Sequence, residues 1–418
     1  MATEAASVEG GGAAAVSHRR GPPRNVLLAV AAWALAGLVF VAAHDVDTQF
    51  SMYWGFGLAF GFVLQRGRFC FASAFRDLFL LGHGRTMKGV LMGLAVASVG
   101  FGIVMSRQVP VATLGFDPPS ANILPVGIHT ALGGALFGVG MVLAGGCVSG
   151  SLYRMGEGYV GSWVAMAGVC GGLLASAFTW NWWWETTIST GPRIWLPRSL
   201  GHPGALVVTL LALGAAFVWV LRLEHRAGMV VPTEHPEDDA WETVGDELKA
   251  IGRSVFVRGW PVVIAGAVLG GLNVLLFAAQ EPWGFTGEIA RLTAGLAGAF
   301  GAAPPPPEGV GELPGCVLVP WTGFWNHMTF LVGGMLLGAS AGALGAGEFK
   351  LRVPKRPVRY AQSLGGGVFM GYGAGIAMGC TIGAFFSGIP SLAINGWVFA
   401  GFLGLGAWIG THMIRRIA

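Results

Sequence analysis

Two short segments of the chain place a cysteine between paired glycines, and both could bind a small ligand through sulfur. The segments are Gly146-Cys147-Val148-Ser149-Gly150 and Gly379-Cys380-Thr381-Ile382-Gly383. A thiol is soft and polarizable and has a weak S–H donor, which suits a ligand whose exposed atom is also sulfur. A free cysteine stays mostly protonated at neutral pH, so we expect S–H donors rather than a covalent nucleophile. Simple packing of a small buried residue is the alternative role for each thiol.

These two segments are the ends of one duplicated element. At a constant offset of 233 positions, residues 133–150 match residues 366–383 at most of their glycines and at the cysteine. Small residues allow a helix to break, and the N–H groups freed at the break attract anions. We therefore expect a ligand site built from the two thiols and from the backbone of the flanking glycines: Cys147, Cys380, Gly146, Gly150, Gly379 and Gly383.

A third cysteine, Cys70, follows two arginines near the inner end of an apolar segment. Arg66 and Arg68 could collect or release an anion there, although the excess of basic residues in cytoplasmic loops explains them equally well. A weaker internal match aligns this region with residues 266–291 and sets Gly284 at the position of Cys70. Cys170 has no counterpart in the other half, so we expect it to pack.

The elements that must position these residues are membrane-spanning helices. Hydrophobic residues make up 54% of the 418 positions and charged residues only 11%, more apolar surface than a soluble core needs. A spanning helix needs roughly 20 mainly apolar residues. The chain is therefore predicted to be an all-α polytopic membrane protein with nine or ten spans, at about 25–43, 52–64, 89–105, 129–147, 159–178, 206–221, 261–279, 324–344, 364–380 and 392–413.

Basic residues alternate between loops in a way that ten spans with both termini in the cytoplasm would satisfy. The two duplicated segments then belong to halves of opposite topology, with broken or re-entrant helices at the centre. We expect a disordered cytoplasmic lead at 1–23, a first half at 24–222, a cytoplasmic link at 223–258 and a second half at 259–418. A Pro-rich outer loop covers 300–320 and contains Cys316. The first apolar run also resembles a secretory signal, so retention of the first helix stays open.

Several function classes lack support in the sequence. Five cysteines, an odd number without a Cys-x-x-Cys spacing, do not indicate a disulfide framework. No metal-ligand spacing, nucleotide-binding loop or nucleophile elbow occurs, so we expect no metal, no cofactor and no catalytic residue. The basic residues are confined to expected inner loops, so nucleic acid is not an expected partner.

Several motifs in order resemble the YeeE/YedE membrane proteins, the thiosulfate-uptake group of sulfur transporters. They are Trp54-Gly-Phe-Gly-Leu-Ala-Phe-Gly61, Gln65-Arg-Gly-Arg-Phe-Cys70-Phe-Ala-Ser73, Leu143-Ala-Gly-Gly-Cys147-Val-Ser-Gly150, Pro282-Trp-Gly-Phe-Thr-Gly287 and Ala377-Met-Gly-Cys380-Thr-Ile-Gly383. The resemblance implies an hourglass of two inverted halves in the inner membrane. It implies inward movement of thiosulfate along Cys147, Cys380 and Cys70, and often a TusA-like sulfur-carrier partner.

The expected function is therefore an inner-membrane permease for thiosulfate or a related reduced sulfur species. Three alternatives stay open at this point. The cargo could be a selenium species or another sulfur compound, the protein could be a passive channel for a small solute, or it could be a membrane thiol oxidoreductase. The last needs two thiols able to bridge, and sequence spacing provides no such pair.

Overall fold

The computed structural model describes residues 23–227, 259–313 and 320–417. Within these ranges the chain forms thirteen α-helices and no β-strand. Most of the expected lead and link, and the part of the outer loop that holds Cys316, lie outside the described residues. The helices are α1 Pro23–Val46, α2 Thr48–Arg66, α3 Phe71–Leu81, α4 Arg85–Gln108, α5 Ile128–Ala144, α6 Val148–Gly156, α7 Val160–Trp183, α8 Pro197–Arg226, α9 Val262–Ala279, α10 Thr286–Ala299, α11 His327–Gly345, α12 Pro357–Ile376 and α13 Ile394–Ile417.

The described helices are long and apolar enough for a polytopic membrane protein. Eight stretches of helix could each cross a membrane, and a ninth results if α12 and the π-helical segment Thr381–Ser387, bent by 51°, count as one broken span. α2 covers the expected span 52–64 but is not among these eight. The all-α class expected from the sequence is confirmed.

Equivalent pairs of helices from the two halves pack in equivalent ways, as inverted repeats do. α2 packs on α11 as α9 packs on α4, and α5 packs on α13 as α12 packs on α7. α5 and α12, which carry the duplicated glycines, pack against each other in opposite directions. A methyl group on Gly133 would lie 2.6 Å from the Gly373 oxygen, and one on Gly140 would lie 2.5 Å from the Gly366 oxygen. Positions 233 apart thus form equivalent contacts, and only glycine permits this backbone approach.

Helix ends gather on two opposite faces. On one face Gln65, at the end of α2, bonds to Glu348 after α11, and Lys88 at the start of α4 pairs with Glu224 near the end of α8. On the other face the Trp180 indole, near the end of α7, donates to the main chain of the loop after α10. Which of these faces is cytoplasmic stays a prediction from the charge of the loops.

Candidate functional site

Each of the three central cysteines begins a short helical segment after a break. Cys70 precedes α3, Cys147 precedes α6 and Cys380 precedes the π-helical segment. Two residues before each cysteine the backbone turns left-handed, with φ of 46° at Arg68, 76° at Gly145 and 57° at Met378. A left-handed residue ends an α-helix, so the same local device creates all three breaks.

The sulfur atoms lie at the helix ends where backbone N–H groups have no helical partner. The Cys147 Sγ accepts a hydrogen bond from the Gly150 amide at 3.3 Å, and the Cys380 Sγ accepts one from the Ile382 amide at 3.4 Å. The backbone donors and the positive end of the helix dipole favour negative charge at such ends. The thiols therefore stand where an anion would be attracted.

Cys70 and Cys147 form one cluster, which we call the thiol pair. Their side chains contact each other. A methyl group on Gly150 would lie 2.6 Å from the Cys70 Sγ and 3.3 Å from the Cys147 Sγ. The Ser149 hydroxyl lies 3.2 Å from the Cys147 Sγ. Sequence spacing gave no reason to bring Cys70 and Cys147 together, because their contact depends on how two different broken helices pack.

Cys380 is instead adjacent to Thr286, a residue that the sequence analysis did not single out. Thr286 is the first residue of α10, which follows α9 as α3 follows α2. Cys70 immediately precedes α3, and Phe285 immediately precedes α10. Phe285 is therefore the structural equivalent of Cys70, one position after the expected Gly284. The Thr286 side chain is buried, and its hydroxyl makes no aligned hydrogen bond with any described residue. The quoted motif Pro282–Gly287 contained this hydroxyl, which was the available signal.

Aromatic rings lie between the thiol pair and the second cluster, which is formed by Cys380 and Thr286. Phe71, next to Cys70, packs edge-on against Phe386 of the π-helical segment with ring centres 5.3 Å apart. Phe60 stacks on Trp283 at 3.8 Å, and Trp283 in turn meets Phe386. Within the described chain no hydrogen bond links Cys147 to Cys380, so a constriction shared by these two thiols stays a prediction. All three thiols are at most 1% exposed, and this conformation is closed to solvent around them.

The two arginines expected beside Cys70 bind a carboxylate on another helix end. Arg66 pairs with Glu348 at 2.7 Å and Arg68 pairs with it at 3.0 Å. Burial alone would raise the pKa of Glu348, but the two guanidinium groups hold that pKa below its ordinary value. The cation that acts electrostatically on Cys70 is Arg154, two helical turns after Cys147. Arg154 is the one Lys or Arg in the apolar sequence from residue 129 to residue 178, which was the available signal for this role.

The remaining expected residues lie near the breaks. A methyl group on Gly146 would come within 3.4 Å of Arg154, and one on Gly379 within 2.8 Å of the Ala384 amide. The Gly383 carbonyl accepts a bond from the Asn122 side-chain amide at 2.9 Å. Cys170 packs at the edge of the core. The described residues contain no group of three His, Cys, Asp or Glu placed to hold a metal.

Comparison with known proteins gives this arrangement a family. The model of a family described as sulphur transport matches residues 66–409. A thiosulfate transporter, TsuA, of Spirochaeta thermophila is 32% identical over 361 residues, which cover 86% of this chain and 97% of that protein. TsuA of Escherichia coli is 28% identical over 368 residues, covering 86% and 92%. A probable transporter YedE of Escherichia coli is 36% identical over 173 residues, covering 41% and 40%. The chain therefore belongs to the sulphur transport family that includes the YeeE/YedE proteins, and it is a transporter rather than an enzyme.

Proposed function

We propose that the protein imports thiosulfate, or a closely related reduced sulfur anion, across the bacterial inner membrane. The pathway is lined by Cys70, Cys147 and Cys380. The observation that carries this proposal is the placement of all three thiols at the starts of helical segments, where the sulfur atoms of Cys147 and Cys380 accept bonds from backbone amides. The relatives named thiosulfate transporters support the choice of cargo.

The anion must give up water before it enters so narrow a site. S–H groups, backbone N–H groups and the Thr286 hydroxyl replace those water contacts, and no covalent bond forms. Cys380 and Thr286 form the first cluster on the outer side, and the thiol pair forms the second. The Thr286 hydroxyl, one position after the counterpart of Cys70, contributes a polar group next to Cys380 as Cys70 does next to Cys147. The rings of Phe71 and Phe386 part as the anion passes from one cluster to the other.

The backbone of Gly146, Gly150, Gly379 and Gly383 contributes donors and leaves room for the anion beside the sulfur atoms. Both termini face the cytoplasm, in keeping with the charge of the loops. A TusA-like sulfur carrier would receive the cargo on that side, where the link between the two halves begins.

Uptake of labelled thiosulfate by cells that lack their own sulfur permeases tests the proposal. We expect Cys147→Ser and Cys380→Ser to abolish uptake while the protein remains in the membrane at its normal amount. Cys170→Ser, which alters a thiol in core packing, is the matched control and should transport normally. Unchanged uptake in both of the first two variants would remove the proposed mechanism.

The same assay separates the alternatives. Counterflow and competition by thiosulfate indicate a carrier site, whereas a passive channel shows neither. Selenite that competes better than thiosulfate would assign the cargo to selenium chemistry, and sulfate that competes equally would show that the thiols do not select for an exposed, reduced sulfur atom.

A further inference from the structure

A cavity lined by cationic side chains lies next to the thiol pair. A cavity of about 570 Å³, which we call the basic cavity, is bounded by the end of α5, by α6 and by the segment that leads into α12. Gly145, two residues before Cys147, forms part of its wall. The cavity lies on the face where Glu157 meets Lys350 and the start of α7 meets Arg352.

Five cationic side chains line this cavity, and no carboxylate does: Arg154, Arg352, Lys355, Arg356 and Arg359. Within the described part of the chain, none of the five forms a salt bridge, whereas Arg66, Arg68 and Arg291 all do. The Glu157 carboxylate, which acts electrostatically on Arg154 and Arg352 without a salt bridge, accepts a hydrogen bond from Gln65.

Two of the five cations, Arg154 and Arg352, are held in place by neutral partners. Arg154 donates to the Gly145 carbonyl at 2.6 Å. Arg352 lies 4.5 Å over the Tyr159 ring and donates to the main-chain oxygen of Glu348 at 3.0 Å. Such contacts fix a guanidinium group without cancelling its charge. The excess of basic residues in cytoplasmic loops explains why cations occur on this face, but it does not require them to surround one cavity that lacks a carboxylate.

We propose that the basic cavity is a binding site for a small, doubly charged oxyanion at the inner mouth of the protein. Resting on the proposed function, the inference is that this site receives the anion as it leaves the thiol pair. Arg154 joins the two places, because it lines the cavity and also acts electrostatically on Cys70. Charge-assisted hydrogen bonds to several arginines provide the affinity.

A cysteine reporter in the cavity wall can detect this binding without transport. Ser162 lines the cavity and is half-buried. In a Cys170→Ser, Cys316→Ser background, the buried native thiols leave Ser162→Cys as the reactive group. In phosphatidylcholine nanodiscs, thiosulfate and sulfate should each slow labelling by a negatively charged maleimide along a saturating curve. Chloride at equal ionic strength should not.

A variant that lacks two of the cavity cations tests whether their charge binds the anion. We expect the double variant Arg356→Ala, Arg359→Ala to weaken protection by thiosulfate by at least about tenfold. Arg226→Ala, which removes an exposed cation at the end of α8 outside the cavity, should leave protection unchanged. Equal protection by chloride, or equal loss in the Arg226 variant, would overturn the site. In a second set of nanodiscs that contain phosphatidylglycerol, protection by the lipid to which thiosulfate adds nothing, together with no protection by thiosulfate in phosphatidylcholine alone, would also overturn it, because the occupant would then be a lipid headgroup.

The two proposals can fail separately. Labelling and protection should be the same when Cys147→Ser is added, since the cavity does not contain that thiol. If thiosulfate uptake does not depend on the thiols but protection of the reporter persists, the pathway is wrong and the anion site stands. If uptake requires the thiols but no anion protects the reporter, the cavity proposal alone is wrong.

Discussion

The space beside Gly150 offers the sharpest test of the thiol pair. An alanine methyl group would lie 2.6 Å from the Cys70 Sγ, whereas nonpolar heavy atoms approach favourably at about 3.5–4.0 Å. The Cys70 sulfur must therefore move by about 1 Å in a fully packed interior. Overpacking of this kind costs about 1–3 kcal/mol, which corresponds to about a 5-fold to 150-fold change in an equilibrium constant.

We expect Gly150→Ala to lower the thermal stability of the purified protein and to reduce the rate of thiosulfate uptake by at least about fivefold. Gly171→Ala is the matched control, because a methyl group at that position of α7 meets nothing within 4 Å. Alanine also favours a helix over glycine, so this control should be neutral or slightly stabilised.

Combining Gly150→Ala with Cys70→Ala separates packing from chemistry. Loss of the sulfur removes the closest contact of the new methyl group, so the double variant should recover most of the stability lost in Gly150→Ala. Uptake should stay low, because the double variant lacks one of the thiols that we propose contact the anion. Recovery of uptake together with stability would refute the reasoning, since the Cys70 sulfur would then only fill space.

Three further predictions concern other parts of the molecule. Thr286→Val, which keeps the shape but removes the hydroxyl, should raise the KM for thiosulfate by about tenfold, and Thr286→Ser should restore it; equal kinetics in the two variants would contradict a role for the hydroxyl. Because the pKa of the folded Glu348 carboxyl is lowered, its stabilisation is present above the ordinary carboxyl pKa and is lost as pH falls through the folded value. Glu348→Gln should therefore melt below the wild type at pH 7 and converge with it in acid, and a gap that persists at low pH would argue against this pairing. Phe386→Ala should speed labelling of Cys380 by a small thiol reagent in whole cells, whereas an unchanged rate would show that the ring does not close the pathway.

The repeat could be predicted from the sequence because the same residue types recur at a constant offset. Cys147 and Cys380 share a glycine pattern at one offset, and a helix with that pattern breaks in the same manner in both copies. The packing of the glycines was also foreseeable in kind, since small residues in apolar helices permit backbone contact. The exact partners, Gly133 with Gly373 and Gly140 with Gly366, required the folded protein.

The partners of the charged residues could not be predicted from their neighbours along the chain. Arg66 and Arg68 lie next to Cys70 along the chain, yet both side chains turn to Glu348, about 280 positions away. A guanidinium group near the membrane binds a carboxylate wherever the fold brings one within reach. Arg154, seven positions from Cys147 on the same helical face, supplies the charge near the thiols instead.

The sequence by itself determined the class of protein through its composition, and the duplicated elements with the helical breaks at Cys147 and Cys380 through a glycine spacing that acts over a few turns of helix. Only the tertiary structure decided which groups meet. Cys70 joins Cys147, Cys380 joins Thr286, and five unpaired cations surround one cavity, because each of these contacts depends on the packing of helices that are distant along the chain.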